Sequence, residues 1–350
     1  MKYTTLGRTG VQVSRLCLGC MNFGGRTPAA EAEAIIAQAI DQGINFIDTA
    51  NVYGHEPGNY HEGRGRSEQI VGEALHTSGK RAQIVLATKA HYPMHAPPNG
   101  GGNSRRHIIE QCHDSLRRLK TDWIDLYQLH AADTAVPIDE TLRALDDLIR
   151  AGKVCYIGTS GFPAWKLLEA LWVAKEYGLN RFVCEQPPYN LLDRRIEREL
   201  LPMAQSYGLG IITWAPLAGG FLSGKYKPDA PVPDDSRFSE FWQGFGQEHY
   251  RPSVFAVVEA LTAVAQSKNC SLAQLALAWQ LHQPAITAPI IGPRTVAQLN
   301  DALGALAVEL TRDALAHIDE VARPTQFVVS YYGGEDEIWA GWQPTQFHWL

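Results

Sequence analysis

Eight short apolar runs, rich in β-branched and aromatic residues, alternate along the chain with longer amphipathic segments. The longer segments, such as EAEAIIAQAIDQG and DETLRALDDLIRAGK, space their apolar residues at helical intervals. Alternating strands and helices are typical of a parallel sheet, because parallel neighbours need a crossover connection. We predict strands at residues 16–19, 44–48, 84–88, 123–129, 156–159, 182–185, 210–213 and 286–291.

The number of these βα units favours a closed α/β barrel over an open sheet. Eight units close a (β/α)8 barrel, or TIM barrel, and such barrels accommodate the 350 residues of this chain in one domain. The main alternative is an open doubly wound sheet, whose G-x-G-x-x-G turn after the first strand is absent here. Polar and apolar residues alternate around a Gly turn at the N-terminus and predict a β-hairpin. We therefore predict one barrel domain over residues 1–350.

Three stretches interrupt the alternation and are rich in Gly, Pro, His or aromatic residues, namely 55–66, 91–103 and 225–251. Each follows a predicted strand, and the loops after barrel strands lie on the rim that carries the active site. The tail at 326–350 lacks a helical period, and we expect it to fold over this rim or to pack outside the barrel. Aromatic side chains on the rim could stack on a substrate. The candidates are Tyr92, Phe238, Trp242 and Trp339.

The charge of the chain argues against two classes of partner. A formal net charge of −6 and a pI near 6.1 provide no basic field that would attract nucleic acid or anionic lipid. The N-terminus lacks a signal-peptide pattern, and no apolar run is long enough to span a membrane. Six scattered cysteines are typical of a reducing compartment, so a cytoplasmic location is expected. Cys17 and Cys20 form a C-x-x-C without a second pair at zinc spacing, so no metal is expected.

Four ionisable side chains lie at or just after the ends of predicted strands. GINFIDTANVYG ends a strand at Asp48 and places Tyr53 in the following loop, while two later strands end near Lys89 and His130. Because the carboxyl ends of barrel strands share one rim, these residues should converge. Each alone is compatible with a structural role, such as a buried ion pair between Asp48 and Lys89.

Together the four residues suit the protonation of a carbonyl oxygen while hydride reaches its carbon. A free phenol, with a pKa of about 10, donates its proton reluctantly at neutral pH. A nearby ammonium stabilises the phenolate, and a carboxylate keeps the ammonium charged, so Lys89 and Asp48 should lower the pKa of Tyr53. His130 would hydrogen-bond the carbonyl oxygen and orient it.

GINFIDTANVYG, the strand-end lysine and the LH pair resemble the catalytic tetrad of the aldo-keto reductase superfamily, and the resemblance extends over nearly the whole chain. It implies an NADP(H)-dependent oxidoreductase that reduces an aldehyde or ketone reversibly. IGTSGF and EQPPYN are similar to segments that bind the nicotinamide carboxamide, which assigns Ser160 and Gln186 to it. Trp214 stands where the family more often has a tyrosine stacked on the nicotinamide ring.

The resemblance also implies residues for the rest of the cofactor. WAPLAGGFLSGKY is similar to the pyrophosphate loop, where small residues let backbone amides approach the anion. GPRTVAQL is similar to the adenosine end, where a guanidinium suits the 2′-phosphate of NADP and a glutamine contacts adenine. The residues assigned in this way are Pro216, Leu217, Gly219, Gly224, Lys225, Gly292, Arg294, Gln298 and Asp301.

Two positions depart from the family pattern. Gly161 stands where the family usually has Asn beside Ser160, and Ala302 stands where it usually has an adenine-binding Asn. Both substitutions remove a side chain that would contact the cofactor, so weaker cofactor binding or altered selectivity is expected.

Two other functions are compatible with this pattern. The superfamily includes proteins that resemble channel β subunits, in which a bound nicotinamide cofactor reports redox state to a partner. Lys89 could instead be the Schiff-base lysine of an aldolase barrel, although Asp48 would keep it charged and imine formation needs a neutral amine. In the reductase, the partner would be a small carbonyl compound. The residues leave its identity, the physiological direction and the oligomeric state open.

Overall fold

A computed structural model describes residues 1–55, 62–240 and 249–331 of the chain. The strands are β1 (Tyr3–Thr5), β2 (Gln12–Ser14), β3 (Cys17–Gly19), β4 (Phe46–Asp48), β5 (Val85–Ala90), β6 (Ile124–Leu129), β7 (Val154–Ser160), β8 (Cys184–Gln186), β9 (Gly210–Thr213) and β10 (Ala288–Ile291). Strands β3 to β10 are parallel and close a barrel in the order β10-β3-β4-β5-β6-β7-β8-β9. The predicted (β/α)8 barrel is confirmed, and each predicted strand overlaps an observed one.

Helices follow the barrel strands and surround them. Four of the described helices have an N-cap hydroxyl that accepts a hydrogen bond from a backbone N–H of the first turn. These N-cap residues are Ser104, Ser271, Thr295 and Thr311. Ser271 and Gln274 form a reciprocal capping box. The helices are α1 (Ala29–Asp41), α2 (Arg66–Ser78), α3 (Arg105–Leu119), α4 (Ile138–Arg150), α5 (Ala164–Glu176), α6 (Leu200–Tyr207), α7 (Arg237–Glu240), α8 (Pro252–Ser267), α9 (Leu272–His282), α10 (Val296–Gly304) and α11 (Arg312–Val321).

The predicted N-terminal hairpin is present at the end of the barrel where the strands begin. β1 and β2 pair antiparallel, with Tyr3 opposite Ser14. Beyond β1, Leu6 is fully buried against residues inside the barrel, and Arg8 N donates to Gly208 O at 2.9 Å, just before β9. The hairpin therefore closes the end of the barrel opposite the carboxyl ends of the strands.

The core has two layers because alternate residues of a strand point to opposite faces. Cys17, Phe46 and Leu126 belong to a cluster inside the barrel, whereas Leu18 and Ile47 belong to a larger cluster between strands and helices. Cys20 belongs to the larger cluster, so the two cysteines of the C-x-x-C lie in different layers. Within the described ranges, no helix has both the length and the apolar character needed to cross a membrane.

The loop at 91–103 follows β5 and is tied to its neighbour by Asn103. The Asn103 side-chain amide donates to Ala131 O at 2.9 Å, and its backbone N–H donates to Asp133 Oδ2 at 2.8 Å. The first residues of the C-terminal tail contact the loop after β8, since Val328 N donates to Leu192 O at 2.8 Å. The remainder of the tail with Trp339, residues 56–61 of the loop at 55–66, and residues 241–248 with Trp242 lie outside the described residues.

Candidate active site

Asp48 and Lys89 form a buried ion pair at the carboxyl ends of β4 and β5. Their side chains meet because the two strands are hydrogen-bonded neighbours. Lys89 Nζ donates to Asp48 Oδ1 and, at 3.0 Å, to Thr49 O. The Lys89 side chain is 0% exposed and that of Asp48 is 3% exposed, so the pair is shielded from solvent.

Tyr53 and His130 complete the predicted group of four. Lys89 Nζ donates to Tyr53 Oη at 3.3 Å, and Tyr53 Oη lies 3.3 Å from His130 Nε2. The loop that carries Tyr53 is held by its backbone, because Gly65 N donates to Tyr53 O at 3.1 Å. The structure thus brings together four side chains from three strand ends and one loop.

Burial and charge act on Tyr53 in opposite directions. Burial raises the pKa of Tyr53 above its ordinary value, and the positive charge of Lys89 lowers this pKa without outweighing the burial. The predicted net lowering of the Tyr53 pKa is therefore wrong for this arrangement. The phenol keeps its proton at neutral pH and can serve as a donor.

The two basic partners of the phenol differ in protonation. Burial alone would lower the pKa of Lys89, but the adjacent Asp48 carboxylate and Tyr53 outweigh it and raise this pKa above its ordinary value. Burial, together with the positive charge of Lys89, holds the pKa of His130 well below its ordinary value. At neutral pH the site therefore combines a charged ammonium, a neutral phenol and a neutral imidazole.

The second oxygen of Asp48 is held by two amides, one of which the sequence interpretation missed. Gln128 Nε2 and Gln186 Nε2 donate to Asp48 Oδ2 at 3.0 and 2.9 Å. Gln128 lies on β6, two residues before His130 in the chain. An amide within the apolar run IDLYQLH was the available signal, since a buried polar side chain needs partners.

The residues assigned to the nicotinamide lie at the ends of β7, β8 and β9. Ser160 Oγ donates to Gln186 O at 2.9 Å, which ties the end of β7 to β8. Trp214 follows β9 and is partly exposed, and its backbone N–H donates to Pro187 O at 3.0 Å. These residues adjoin the predicted group of four through Gln186, whose amide contacts Asp48.

The segment assigned to the pyrophosphate has unusual backbone conformations. Ala215 and Ala218 both have φ 52°, and Gly219 and Gly224 have φ 62° and 73°. Positive φ is strained for alanine and clusters at ligand-binding turns. Pro216 is buried and Leu217 partly buried within this turn.

In the segment assigned to the adenosine, Arg294 contacts a carboxylate of the loop after β9. Arg294 Nη2 donates to Asp235 Oδ2 at 3.0 Å, and Gln298 Oε1 accepts from Arg294 N at 2.8 Å. Burial lowers the pKa of Lys225, and the positive charge of Arg294 acts in the same direction. Lys225 and Arg294 therefore contribute to one positively charged region.

Two other residues assigned to this end make structural contacts. Asp301 accepts hydrogen bonds from Ser271 Oγ at 3.2 Å and from Gln274 Nε2 at 3.0 Å, at the start of α9. Gly292 O accepts from Asn22 Nδ2 at 3.1 Å. Ala302 is buried on α10, where it packs in the outer core layer.

The described aromatic candidates for substrate binding lie in different environments. Tyr92 is 43% exposed, and its ring packs edge-on against that of His130 at 4.9 Å. Phe238 is only 2% exposed and packs against Phe221 and Tyr226, close to Gly219. The structure places Tyr92 beside His130 of the predicted group of four, and Phe238 beneath the turn after β9.

Comparison with known proteins matches the sequence of this chain to one family. Residues 15–323 match the model of the aldo/keto reductase family. The chain is 40% identical over 328 residues to "Uncharacterized oxidoreductase YrpG" of Bacillus subtilis, covering 92% of this chain and 96% of that protein. It is 36% identical over 329 residues to "Probable voltage-gated potassium channel subunit beta" of Oryza sativa subsp. japonica, covering 92% and 97%. The chain therefore belongs to the aldo/keto reductase family and is an oxidoreductase, of a family that generally reduces carbonyl compounds with nicotinamide cofactors.

Proposed function

We propose that this protein reduces an aldehyde or ketone to the alcohol with NADPH, reversibly, and that Tyr53 donates the proton. One observation carries the proposal: Tyr53 Oη lies 3.3 Å from both Lys89 Nζ and His130 Nε2. A phenol between a charged ammonium and a neutral imidazole can protonate an oxygen that enters the same space. The cysteine pattern and charge of the chain suit a cytoplasmic enzyme acting on a small molecule.

The four residues divide the reaction among them. Tyr53 Oη gives its proton to the carbonyl oxygen as negative charge develops there. Lys89 Nζ, held by Asp48, stabilises the phenolate that remains. His130 Nε2 orients the carbonyl oxygen through a hydrogen bond. The reduced nicotinamide supplies the hydride when it is bound.

The residues at the rim fit such a cofactor. Gln186 Oε1 accepts no hydrogen bond within the described part of the chain, so it is available to the carboxamide. The positive-φ turn at Ala218 and Gly219 has a backbone geometry that can direct amides toward a pyrophosphate. Lys225 and Arg294 supply positive charge beyond this turn, at the adenosine end.

A preference for NADPH over NADH is supported by Arg294. Its guanidinium already binds a carboxylate oxygen of Asp235 at 3.0 Å, in a region with Lys225. A phosphate presents the same kind of acceptor with more charge, so the 2′-phosphate of NADPH can replace this contact. NADH lacks the phosphate and gains nothing there.

The site favours a reductase over the two alternative functions. The contact of Lys89 with Asp48 keeps the ammonium charged, whereas an aldolase lysine must lose its proton. A redox-reporting subunit would need cofactor binding but no proton donor. The placement of Tyr53 between Lys89 and His130 supports catalysis as well as binding.

The test is to follow the absorbance of reduced nicotinamide while the protein, NADPH and a panel of aldehydes and ketones are mixed. We expect protein-dependent NADPH consumption with at least one carbonyl compound. Tight NADPH binding without turnover of any compound would favour the redox-reporting role. Covalent trapping of a ketone on Lys89 by borohydride would favour the aldolase.

A further inference from the structure

Gln128 contacts both Asp48 and Gln186, the residue assigned to the nicotinamide carboxamide. Gln128 Nε2 donates to Asp48 Oδ2 at 3.0 Å, and Gln128 Oε1 accepts from Gln186 Nε2 at 3.1 Å. Gln186 Nε2 also donates to Asp48 Oδ2, at 2.9 Å. The three side chains form a closed triangle of hydrogen bonds, and none of the residues is more than 2% exposed.

The triangle permits only one orientation of each amide. An ionised carboxylate accepts hydrogen bonds and donates none, so each glutamine must turn its nitrogen toward Asp48 Oδ2. The second N–H of Gln186 then points to the oxygen of Gln128. A flipped Gln186 would set its own oxygen against two other acceptors, and each buried polar group left unpaired is costly.

This orientation decides what Gln186 offers to a ligand. With both of its N–H groups engaged, Gln186 keeps only Oε1 for an additional partner, and that atom accepts no hydrogen bond from the described residues. Among the described residues, Asn51 Oδ1 also lacks a hydrogen-bond partner, but it is inaccessible to solvent. Gln186 Oε1 differs because it retains some accessible surface. Gln186 can thus accept from the N–H of a carboxamide but cannot donate to it.

We propose that Gln128 is a positioning residue that fixes Gln186 as a hydrogen-bond acceptor for the nicotinamide carboxamide and ties this recognition to Asp48. The inference rests on the proposed function, because it takes NADP(H) as the ligand of Gln186. It predicts a contribution of β6 to cofactor recognition, although the cofactor contacts assigned from sequence lie at the ends of β7 and β8 or after β9 and β10. A loss at Gln128 should then impair recognition of the amide group specifically.

The experiment compares NADP with its acetylpyridine analogue, in which a methyl ketone replaces the carboxamide and the N–H donors are absent. Dissociation constants for both are measured by isothermal titration calorimetry, so no turnover is needed. We expect the unmodified protein to bind NADP about tenfold more tightly, as for one hydrogen bond lost from a buried acceptor. In Gln128→Met the ratio should fall to about one, and Gln186→Met should have the same effect.

A matched control is Gln111→Met. Gln111 on α3 is also a buried glutamine, and its Oε1 accepts from Asn51 Nδ2 at 3.0 Å. This variant loses a similar amide contact outside the triangle, so it should keep the tenfold ratio. A general loosening of the core would weaken the binding of both nucleotides without changing the ratio.

Gln128→Glu supplies a second, pH-dependent test with little change of shape. A protonated Glu reproduces the donor to Asp48 and the acceptor for Gln186, whereas an ionised one repels Asp48. The ionisable groups that interact electrostatically with Asp48 are Lys89 from β5, Tyr53 from the loop after β4, Cys184 from β8, and Cys17 and Cys20 from β3 and its end. His130, just after β6, interacts with Lys89. Low pH favours the protonated form of the introduced carboxyl, which preserves the triangle, so we expect the ratio in Gln128→Glu to be higher at low pH than at high pH.

The outcomes separate this inference from the proposed function. If Gln128→Met keeps the tenfold ratio, or the unmodified protein binds both nucleotides equally, the positioning role of Gln128 is overturned and the reductase proposal stands. If the unmodified protein binds neither nucleotide, both proposals fall. If Gln128→Met does not fold, a pH-independent ratio in Gln128→Glu overturns the inference.

Discussion

Tyr53 holds its proton more firmly than a free phenol, and this should affect the two directions of the proposed reaction differently. Burial raises its pKa while Lys89 opposes that rise. Reduction needs the protonated phenol, which is therefore present throughout the neutral range. Oxidation of the alcohol needs the phenolate, so its rate should increase as the pH rises toward the Tyr53 pKa.

Tyr53→Phe tests the acid directly. The change removes the proton donor, and we expect kcat for carbonyl reduction to fall by about 10²–10⁴-fold, the usual contribution of a general acid. NADPH affinity should stay within severalfold, because none of the proposed cofactor contacts involves the hydroxyl group. Tyr127→Phe is the matched control: its hydroxyl is buried and donates to Ile108 O, outside the catalytic site. A Tyr53→Phe variant with most of its kcat would refute the mechanism.

Lys89→Met should shift the pH profile of alcohol oxidation. Lys89 lowers the pKa of Tyr53 and Asp48 raises it, so removing the ammonium leaves both burial and Asp48 acting upward. The rise in oxidation rate should therefore move to higher pH, and both directions should slow severely. Lys80→Met is the control: Lys80 is a partly exposed lysine paired with Asp41, and its loss should leave the pH profile unchanged. An unshifted profile in Lys89→Met would show that Lys89 does not tune the phenol.

At the scale of strands and helices, sequence periodicity was sufficient for the barrel and for part of the site. A βα alternation determines which ends of the strands share a rim, so Asp48, Lys89 and His130 could be placed together from the sequence. The triangle at Gln128 could not be predicted, because its contacts join β4, β6 and β8 across the barrel. The direction in which the pKa of Tyr53 shifts could not be predicted either, because it depends on how deeply the phenol is buried.

The contact between the loops after β9 and β10 was also hidden from the sequence. Asp235 and Arg294 are 59 residues apart, and their pairing depends on how the long segment after β9 crosses the rim. The local pattern around Arg294 identified a cation but gave no sign of its partner. A long loop carries no periodicity from which its path could be read.

Arg294→Ala should remove the preference for NADPH over NADH. Losing a charge-assisted contact to a phosphate costs on the order of 1.5–3 kcal/mol, or roughly ten- to a hundredfold in NADPH affinity. NADH affinity should change little. Arg150→Ala is the control: Arg150 is paired with Asp146 on α4, and its loss should leave the preference for NADPH unchanged. Equal affinities for the two cofactors in the unmodified protein would contradict the assignment.

Asp235→Asn tests the other half of that pair. The Asp235 carboxylate binds Arg294 and would lie near an incoming phosphate, so it competes with the phosphate for the guanidinium. The neutral amide removes this competition, and we expect NADPH to bind severalfold more tightly while NADH binding is unchanged. The same calorimetric titration measures both. Weaker NADPH binding would mean that Asp235 helps to hold the cofactor.

Across the whole molecule, stability and function lie at opposite ends of the barrel. The proposed catalytic group and the inferred cofactor contacts lie at or beyond the carboxyl ends of the strands. The hairpin of β1 and β2 closes the other end and buries Leu6 with Val13, Cys17 and Phe46. Barrel enzymes commonly divide the two ends in this way, since the loops of one end can vary while the other keeps the strands closed.

Leu6→Ala should therefore destabilise the barrel without altering the chemistry. Leu6 is 0% exposed at the end of the barrel that the hairpin closes. The residues that follow it are held by the hydrogen bond from Arg8 N to Gly208 O. Truncating a buried leucine leaves a cavity and costs about 2–5 kcal/mol, which should lower the melting temperature by several degrees. Well below that temperature, kcat and KM should match the unmodified protein, because Leu6 lies at the end of the barrel opposite the proposed catalytic group. Thr5→Ala, an exposed position on β1, is the control and should leave the melting temperature nearly unchanged. A large change of kcat in folded Leu6→Ala would show that the two ends of the barrel are coupled.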